Sequence, residues 1–416
     1  MSVTMLDMPG AVAEAFRLAR LQVFASYGSS ACAALAGKIA QQIEFHETIT
    51  RLMPVESLQT ALICSVGAQL AGQRAATFAS SVDLEYLREA CGVASGLRAP
   101  VVMPVFNRPL TEPWQQWCEH IDVMSARDSG WLQFYAADFQ EMMDLLLVGF
   151  NLAERPDVRL PVMVCLNGFF AANDLEPVDL PGESSLNGFL RPVRQSDPDY
   201  DGGLFQAAPI DSDSAADEYT GIRYRQRLGF EAAGTFLPLV MNEYSRRTNH
   251  SLYPLEGYGM EGAQAVLVGM GSISRLVKMV VDALRAEGHA VGFLRLVSYR
   301  PFPAAELAEA LGEVKNVGVL DHSVGLGGVA GPICTDVRAA LATYGPARTR
   351  ISSFLAGLGG RRAEAEAIVN MFQFLLSGGQ AREPLWMDYQ APPSSSYIAG
   401  DYPEPIMRVQ PGSQNS

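Results

Sequence analysis

Paired cysteines are missing from this 416-residue chain. Its six (Cys32, Cys64, Cys91, Cys118, Cys165 and Cys334) are scattered, with no CxxC pair and no short ligand spacing. That argues against an iron–sulfur cluster held by this chain, and the thiols read as small buried hydrophobes. Positive charge is also scarce: 31 Lys and Arg face 45 Asp and Glu, a net charge of −14. No basic stripe exists to neutralise phosphates, so a nucleic-acid partner is not expected. Long apolar runs are absent too. Ala265–Gly271 (AVLVGMG) is among the most apolar stretches and falls short of the roughly 20 residues that span a bilayer. The opening MSVTMLDMPGAVAEAF carries acids where a secretory signal needs a basic region, which gives an expected cytoplasmic location with no membrane span. There is no Walker sequence, no three-glycine dinucleotide fingerprint, no GxSxG elbow and no HExxH.

What is present is a globular composition, with 48% hydrophobic and 18% charged residues, enough for two or three domains. Leu21–Tyr27, Ala75–Ala79, Pro100–Phe106 and Leu160–Leu166 read as strands. The continuous apolar runs suit a parallel sheet covered on both faces. A helix is expected after the first strand through Ile43, and another over Phe139–Ala153, where Met142, Leu145, Leu146, Gly149 and Phe150 share a side. From about Asp179 the texture turns to Pro, Gly, Ser and Asp, a long connector, and residues 220–260 read as an extended segment packed across domains. A second alternation follows: strands over Ala265–Gly269, Ala290–Leu296, Val314–Leu320 and Arg350–Leu355, with helices over Ile273–Glu287, Pro303–Leu311 and Pro332–Leu341. The expected fold is therefore α/β with two open parallel-sheet domains, divided as 1–180, a connector 181–260, a second domain 261–380, and an extended C-terminal arm 381–416.

Candidate chemistry is sparse. The glycine stretches Gly269–Ser272 and Val324–Pro332 read either as tight turns joining strands to helices or as contacts to a phosphate or partner. Acid–histidine neighbours occur at Asp321–His322 and at His120 with Asp122, Arg127 and Asp128, but nothing has metal-ligand spacing, and no metal is assigned to this chain. Ser80 and Ser81 follow a strand and either cap the next helix or touch a ligand. Glu56 begins a mostly apolar helix. It is either a first-turn acid favoured by the helix dipole or a carboxylate that hydrogen-bonds a cofactor ring nitrogen at a subunit interface. Arg108 ends a buried-looking strand, where it either grips a carboxylate ligand or pairs with Glu112 or Glu119.

Three blocks carry a more specific likeness: VESLQTALICSVGAQLAGQRAATFASS (55–81), ASGLRAPVVMPVFNRPLTEPWQQWCEHIDVMSARDSGWLQFYA (94–136) and LPVMVCLNGF (160–169). With VGFLRLVSYRPFP, VGVLDHSVGLGGVAGP and the late GLGGR, their order and spacing resemble the alpha subunit of thiamine diphosphate-dependent 2-oxoacid:acceptor oxidoreductases, the pyruvate:ferredoxin oxidoreductase family. The likeness covers roughly residues 10–180 and 215–365. It implies a thiamine-enzyme pyrimidine-side domain followed by a transketolase C-terminal-like domain. It puts Glu56 in the place of the glutamate that activates the aminopyrimidine, Ser80 and Ser81 on the cofactor's side, and Arg108 at the substrate carboxylate.

The GDG…N segment that would hold the diphosphate is missing. The resemblance therefore implies thiamine diphosphate and Mg2+ shared with a beta subunit, gamma-like and ferredoxin-like subunits carrying [4Fe-4S] clusters, and a 2-oxo acid and coenzyme A as substrates. The family's YPITPS turn here reads YGSSAC, with Ser30 where a threonine approaches the substrate. Small Gly28, Ser30 and Ala31, with Phe106, Trp114 and Trp117 as aromatic walls or as core, favour phenylglyoxylate as substrate. Pyruvate, indolepyruvate and 2-oxoglutarate, or a non-catalytic scaffold role, stand as alternatives.

Overall fold

The computed structural model describes residues 2–28, 30–108, 118–167, 174–192, 212–345, 349–361, 363–381 and 383–389. In the first part the strands are β1 (Ser2–Leu6), β2 (Val23–Ser26), β3 (Arg51–Pro54), β4 (Ala75–Ala76), β5 (Ala79–Ser80), β6 (Val102–Asn107), β7 (Leu132–Tyr135), β8 (Val162–Asn167) and β9 (Glu176–Leu180). Between them run helices Met8–Leu18, Ser30–Glu44, Leu58–Leu70, Arg88–Gly96 and Phe139–Ala153, besides shorter ones. The first of these starts where Asp7 accepts from the Gly10 amide at 2.9 Å, and the third where Ser57 accepts from the Thr60 amide, satisfying otherwise orphaned donors. Later come β10 (Leu255–Tyr258), β11 (Ala265–Met270), β12 (Val291–Leu296), β13 (Ser298–Arg300), β14 (Asn316–Asp321), β15 (Arg350–Leu355) and β16 (Leu385–Trp386).

Two α/β sheets result. The first has eight strands in the order β13-β7-β8-β6-β4-β2-β3, with β5 also beside β6. All its pairings are parallel except β13 against β7. The second has six strands, β10-β12-β11-β14-β15-β16, parallel apart from β10. A separate ribbon pairs β1 with β9.

Three apolar layers hold the sheets. One face of the first sheet buries helices Met8–Leu18, Ser30–Glu44 and Phe139–Ala153. Its other face shares a continuous core with the second sheet, in which Met103, Val105, Tyr135 and Cys165 cluster with Val266, Val268, Leu294 and Val319. The far side of the second sheet is covered by helices Ser274–Ala286 and Ala365–Leu376. The helix Phe139–Ala153 has the expected bounds, yet it is buried on every face, since 13 of its 15 residues are buried. Packed between the first sheet and another helix, it has no solvent side to mark with charge.

That other helix corrects the reading of residues 220–260 as extended. Ser212–Thr248 is one 37-residue helix despite Pro238. Ala233, Leu237, Val240, Met241, Tyr244 and Thr248 form its buried stripe, at helical spacing. Gly229 lets it approach the chain below, because a Cβ there would stand 2.7 Å from the Val158 carbonyl. The C-terminal arm also needs correction at its start: Phe354 and Leu355 of β15 pair with Leu385 and Trp386, so β16 closes a sheet edge. Residues 390–416 lie outside the described residues. No helix among the described residues is long and apolar enough to cross a membrane.

Arg295 on β12 crosses between the layers. Its guanidinium donates to Glu141 on the helix Phe139–Ala153 (2.7 Å from Nη1) and to Glu256 on β10 (3.1 Å), at 2% residue exposure. Burial alone would raise the Glu141 carboxyl, but the Arg295 guanidinium outweighs it and holds the group below its usual range. Removing one partner of a buried pair strands the other charge. Arg295→Met is therefore expected to lower the unfolding free energy by about 3 kcal/mol, read from the urea midpoint at constant slope.

Candidate active site

Every parallel strand of the first sheet points its carboxyl end to one edge. The registers Ser26 with Pro54, Ser80 with Phe106, and Asn107 with Asn167 place the following turns side by side. Chain order reverses there. From β2 the chain moves out to β3 and returns to β4 on β2's other flank, the helix after β2 covering one face and the helix after β3 the opposite one. Such a switch point opens a crevice beyond the strand ends, the usual ligand position in open α/β sheets.

Glu56 stands at this edge, two residues after β3 and just before the Ser57 cap. It is exposed and makes no hydrogen bond or ion pair among the described residues. The helix after it is apolar on all sides, but only Ala61, Leu62, Ser65 and Val66 are buried. Ile63 is 43% exposed, with exposed Thr60 and Gly67 on the same side. Gly28, exposed with open space around it, follows β2, and Ser30 begins the next helix.

Ser80, Asp83 and Arg108 are brought together. The Ser80 amide and hydroxyl both donate to Asp83 Oδ2 at 2.8 Å. Burial raises the Asp83 carboxyl, and these bonds and the nearby Arg108 charge oppose the rise. Ser81 opens the short helix Ser81–Tyr86, so the capping reading of this pair has a structural basis in Ser80. Arg108 does not pair with Glu119, whose carboxylate accepts instead from the Gly359 backbone. Its buried Nε has no hydrogen-bond partner among the described residues. Glu112 lies outside them, as do Trp114 and Trp117. Phe106 is no pocket wall: at 2% exposure it stacks edge-on against Phe78, 4.5 Å between centroids.

The acid–histidine neighbours resolve into structure. Asp321 is fully buried and accepts from the Ile333 and Cys334 amides at 2.8 and 3.2 Å, fixing the start of the helix Pro332–Tyr344. Burial pushes its carboxyl up to about 7. A Cβ on Gly331 would fall 2.3 Å from that carboxylate, so this glycine of the VGLGGVAGP stretch serves close packing. The His120 amide donates to the His322 carbonyl at 3.0 Å, and their rings lie 5.3 Å apart. Burial lowers both imidazoles, that of His322 to about 4. The pair forms a neutral contact between the two sheets, beside a cleft of about 420 Å³ lined by Asn167, Ser272, His322 and Gly357. Among the described residues no group of three His, Cys, Asp or Glu converges as a metal site.

Asp122 was grouped with His120 on sequence proximity, and the structure gives it other partners. Its carboxylate accepts from Asn107 Nδ2, from the Arg108 amide and from the Val123 amide. The adjacency of Asn107 to Arg108 in FNRPL was the available signal, but a contact across 14 or 15 residues leaves no local pattern.

Comparison with known proteins adds to this geometry. Residues 14–232 match the family model described as pyruvate flavodoxin/ferredoxin oxidoreductase, thiamine diphosphate-binding, and residues 263–368 match pyruvate:ferredoxin oxidoreductase core domain II. The pyruvate synthase subunit PorA of Thermotoga maritima is 35% identical over 369 residues, 88% of this chain and 93% of that one. The ketoisovalerate oxidoreductase subunit VorA of Pyrococcus abyssi is 33% identical, over 90% and 95% of the two chains. Among solved structures, the 2-oxoglutarate:ferredoxin oxidoreductase of Magnetococcus marinus superposes with a TM-score of 0.66 at 16% identity, over 89% of this chain and 65% of that one. A split-gene transketolase gives 0.53 at 14%, over 88% and 98%. These two likenesses concern the fold. The chain belongs to the pyruvate flavodoxin/ferredoxin oxidoreductase family, as an alpha subunit of the thiamine diphosphate-dependent 2-oxoacid:ferredoxin oxidoreductases.

Proposed function

We propose that this chain supplies the aminopyrimidine half of a thiamine diphosphate site that oxidatively decarboxylates a small aliphatic 2-oxo acid, pyruvate in the first place, to an acyl-coenzyme A. The carrying observation is Glu56: an exposed carboxylate without a partner among the described residues, at the switch-point edge that also presents Arg108. Residues 1–180 form the pyrimidine-side domain and 261–380 the transketolase C-terminal-like domain.

Thiamine diphosphate, when bound, supplies the nucleophilic carbon and the electron sink that a 2-oxo acid needs to lose carbon dioxide. Glu56 fits its pyrimidine side, because a free carboxyl can share a proton with a ring nitrogen and so set which nitrogen carries it. Arg108 binds the substrate carboxylate through its planar fork, fixing the 2-oxo carbon over the edge. Ser30, Ser80 and Ser81 border the same edge, the first assigned to substrate and the others to cofactor. The diphosphate and its Mg2+ are assigned to a beta subunit, since the GDG…N segment is absent from the sequence. That partner also explains the apolar helix after Glu56, whose outer side lacks cover among the described residues. Electrons pass to iron–sulfur clusters in further subunits, in a cytoplasmic complex.

Pyruvate, rather than the phenylglyoxylate expected from the small residues of YGSSAC, is the substrate that fits better. The relatives' names give pyruvate and ketoisovalerate, and Phe106 belongs to the core. Small residues at one wall do not set a pocket's volume when other walls come from elsewhere.

Three outcomes are expected of the assembled complex. Glu56→Gln keeps its elution volume in gel filtration but loses turnover by at least about 100-fold; near-normal turnover would sink the role. Arg108→Ala lowers kcat/KM for pyruvate roughly 30-fold, about 2 kcal/mol for a charged hydrogen bond, while unchanged kinetics across pyruvate, ketoisovalerate and phenylglyoxylate would return it to packing. Cys64, the one half-buried thiol on the helix after Glu56, is alkylated by iodoacetamide in the isolated chain and protected in the complex, as mass spectrometry would show. Equal labelling in both would move the interface elsewhere.

A further inference from the structure

The chain leaves β6 through Asn107 and Arg108, and both ends of that exit are tied to one carboxylate. Asp122 has 0% exposure. Its Oδ1 accepts from Asn107 Nδ2 at 2.9 Å and from the Val123 amide at 2.7 Å, and its Oδ2 accepts from the Arg108 amide at 3.1 Å. Asn107 is itself fully buried, and its Oδ1, like Arg108 Nε, has no hydrogen-bond partner among the described residues. A backbone amide and a neighbouring side chain are thus held by a group 14 and 15 residues further on.

We propose that Asp122 is a positioning residue: it fixes the Arg108 backbone and the Asn107 side chain so that the Arg108 guanidinium meets the carboxylate of the 2-oxo acid. The inference rests on the assignment of Arg108 to that carboxylate. Three N–H donors converge on two oxygens, an arrangement that an acceptor-only carboxylate satisfies completely. An asparagine in its place must turn an NH2 toward one of those donors. With Oδ1 facing two of them, the mismatch falls at the Arg108 amide, which must move away. A small displacement there is carried outward along the side chain, where a bidentate contact tolerates little error.

The test is a double-mutant cycle on the co-expressed complex, with Arg108→Ala, Asp122→Asn and the double variant, measuring kcat and KM for pyruvate and the Kd for thiamine diphosphate. Asp122→Asn is expected to raise KM about tenfold, to leave the cofactor Kd within about twofold, and to add nothing to KM once Arg108 is alanine. Effects on KM that multiply in the double variant, or a kcat loss with KM unchanged, would overturn the positioning role. An unchanged KM in Arg108→Ala would remove the Arg108 assignment and this inference with it. A raised KM in Arg108→Ala beside a normal one in Asp122→Asn would remove the inference alone. If Asp122→Asn does not assemble, Asn107→Ser in the same cycle decides. It keeps the carboxylate but loses one tie, and a KM increase of a few fold that vanishes in the alanine background supports the role, while an additive effect or none overturns it.

Discussion

Arg295 leaves the second sheet on β12 and ends between Glu141 and Glu256, two carboxylates from different layers. An ion held this deep tolerates little displacement, because separating it from either acid would leave a charge in apolar surroundings. The shared apolar layer resists separation of the sheets but has no direction of its own. The guanidinium adds direction, and it does so beside the helix Phe139–Ala153, which packs against β6 and β8. The strands that end at Asn107 and Asn167 are thereby braced from behind.

That bracing matters because the edge they form is built from turns. Glu56, Ser30, Ser80 and Arg108 each leave a different strand, so no local segment could hold them together, and their mutual placement is a property of the sheet. Asp83 lies at two of these exits, those of Ser80 and Arg108, and Asp122 secures the second of them. Both acids are buried, which raises both, and the hydrogen bonds each accepts oppose that rise. Neither is placed to meet substrate. Each accepts from a backbone amide and from a neighbouring side chain beside a residue proposed to meet substrate or cofactor.

Much of the architecture was legible in the sequence. The four inner strands of the second sheet were readable, since each apolar run there is bounded by turn residues, and Arg350–Leu355 has the expected ends, whereas the edge strands β10 and β16 were not. The long helix Ser212–Thr248 was not, because its exposed tyrosines and arginines drew the eye from a stripe that starts only near Ala233. Strands of two or three residues, such as β4 and β13, lack the length to show a period. Glu56 and Arg108, the residues on which the proposed site rests, are singled out by position relative to strand ends and by the family likeness. Asp122 was visible, but its meaning was not: a carboxylate that bridges distant backbone groups looks the same in sequence as one beside a histidine.

β13 offers a different consequence. Its three residues lie between two strands' worth of second-sheet sequence, yet they pair with β7 and cover the open flank of the first sheet. The polypeptide is therefore sewn across its own division. Pulling the second module away would strip a strand from the first and bare the row of amide and carbonyl groups on β7, a surface that invites aggregation. Melting should accordingly be a joint event, with neither module outliving the other, and a cut between them would yield fragments that each carry an unfinished seam.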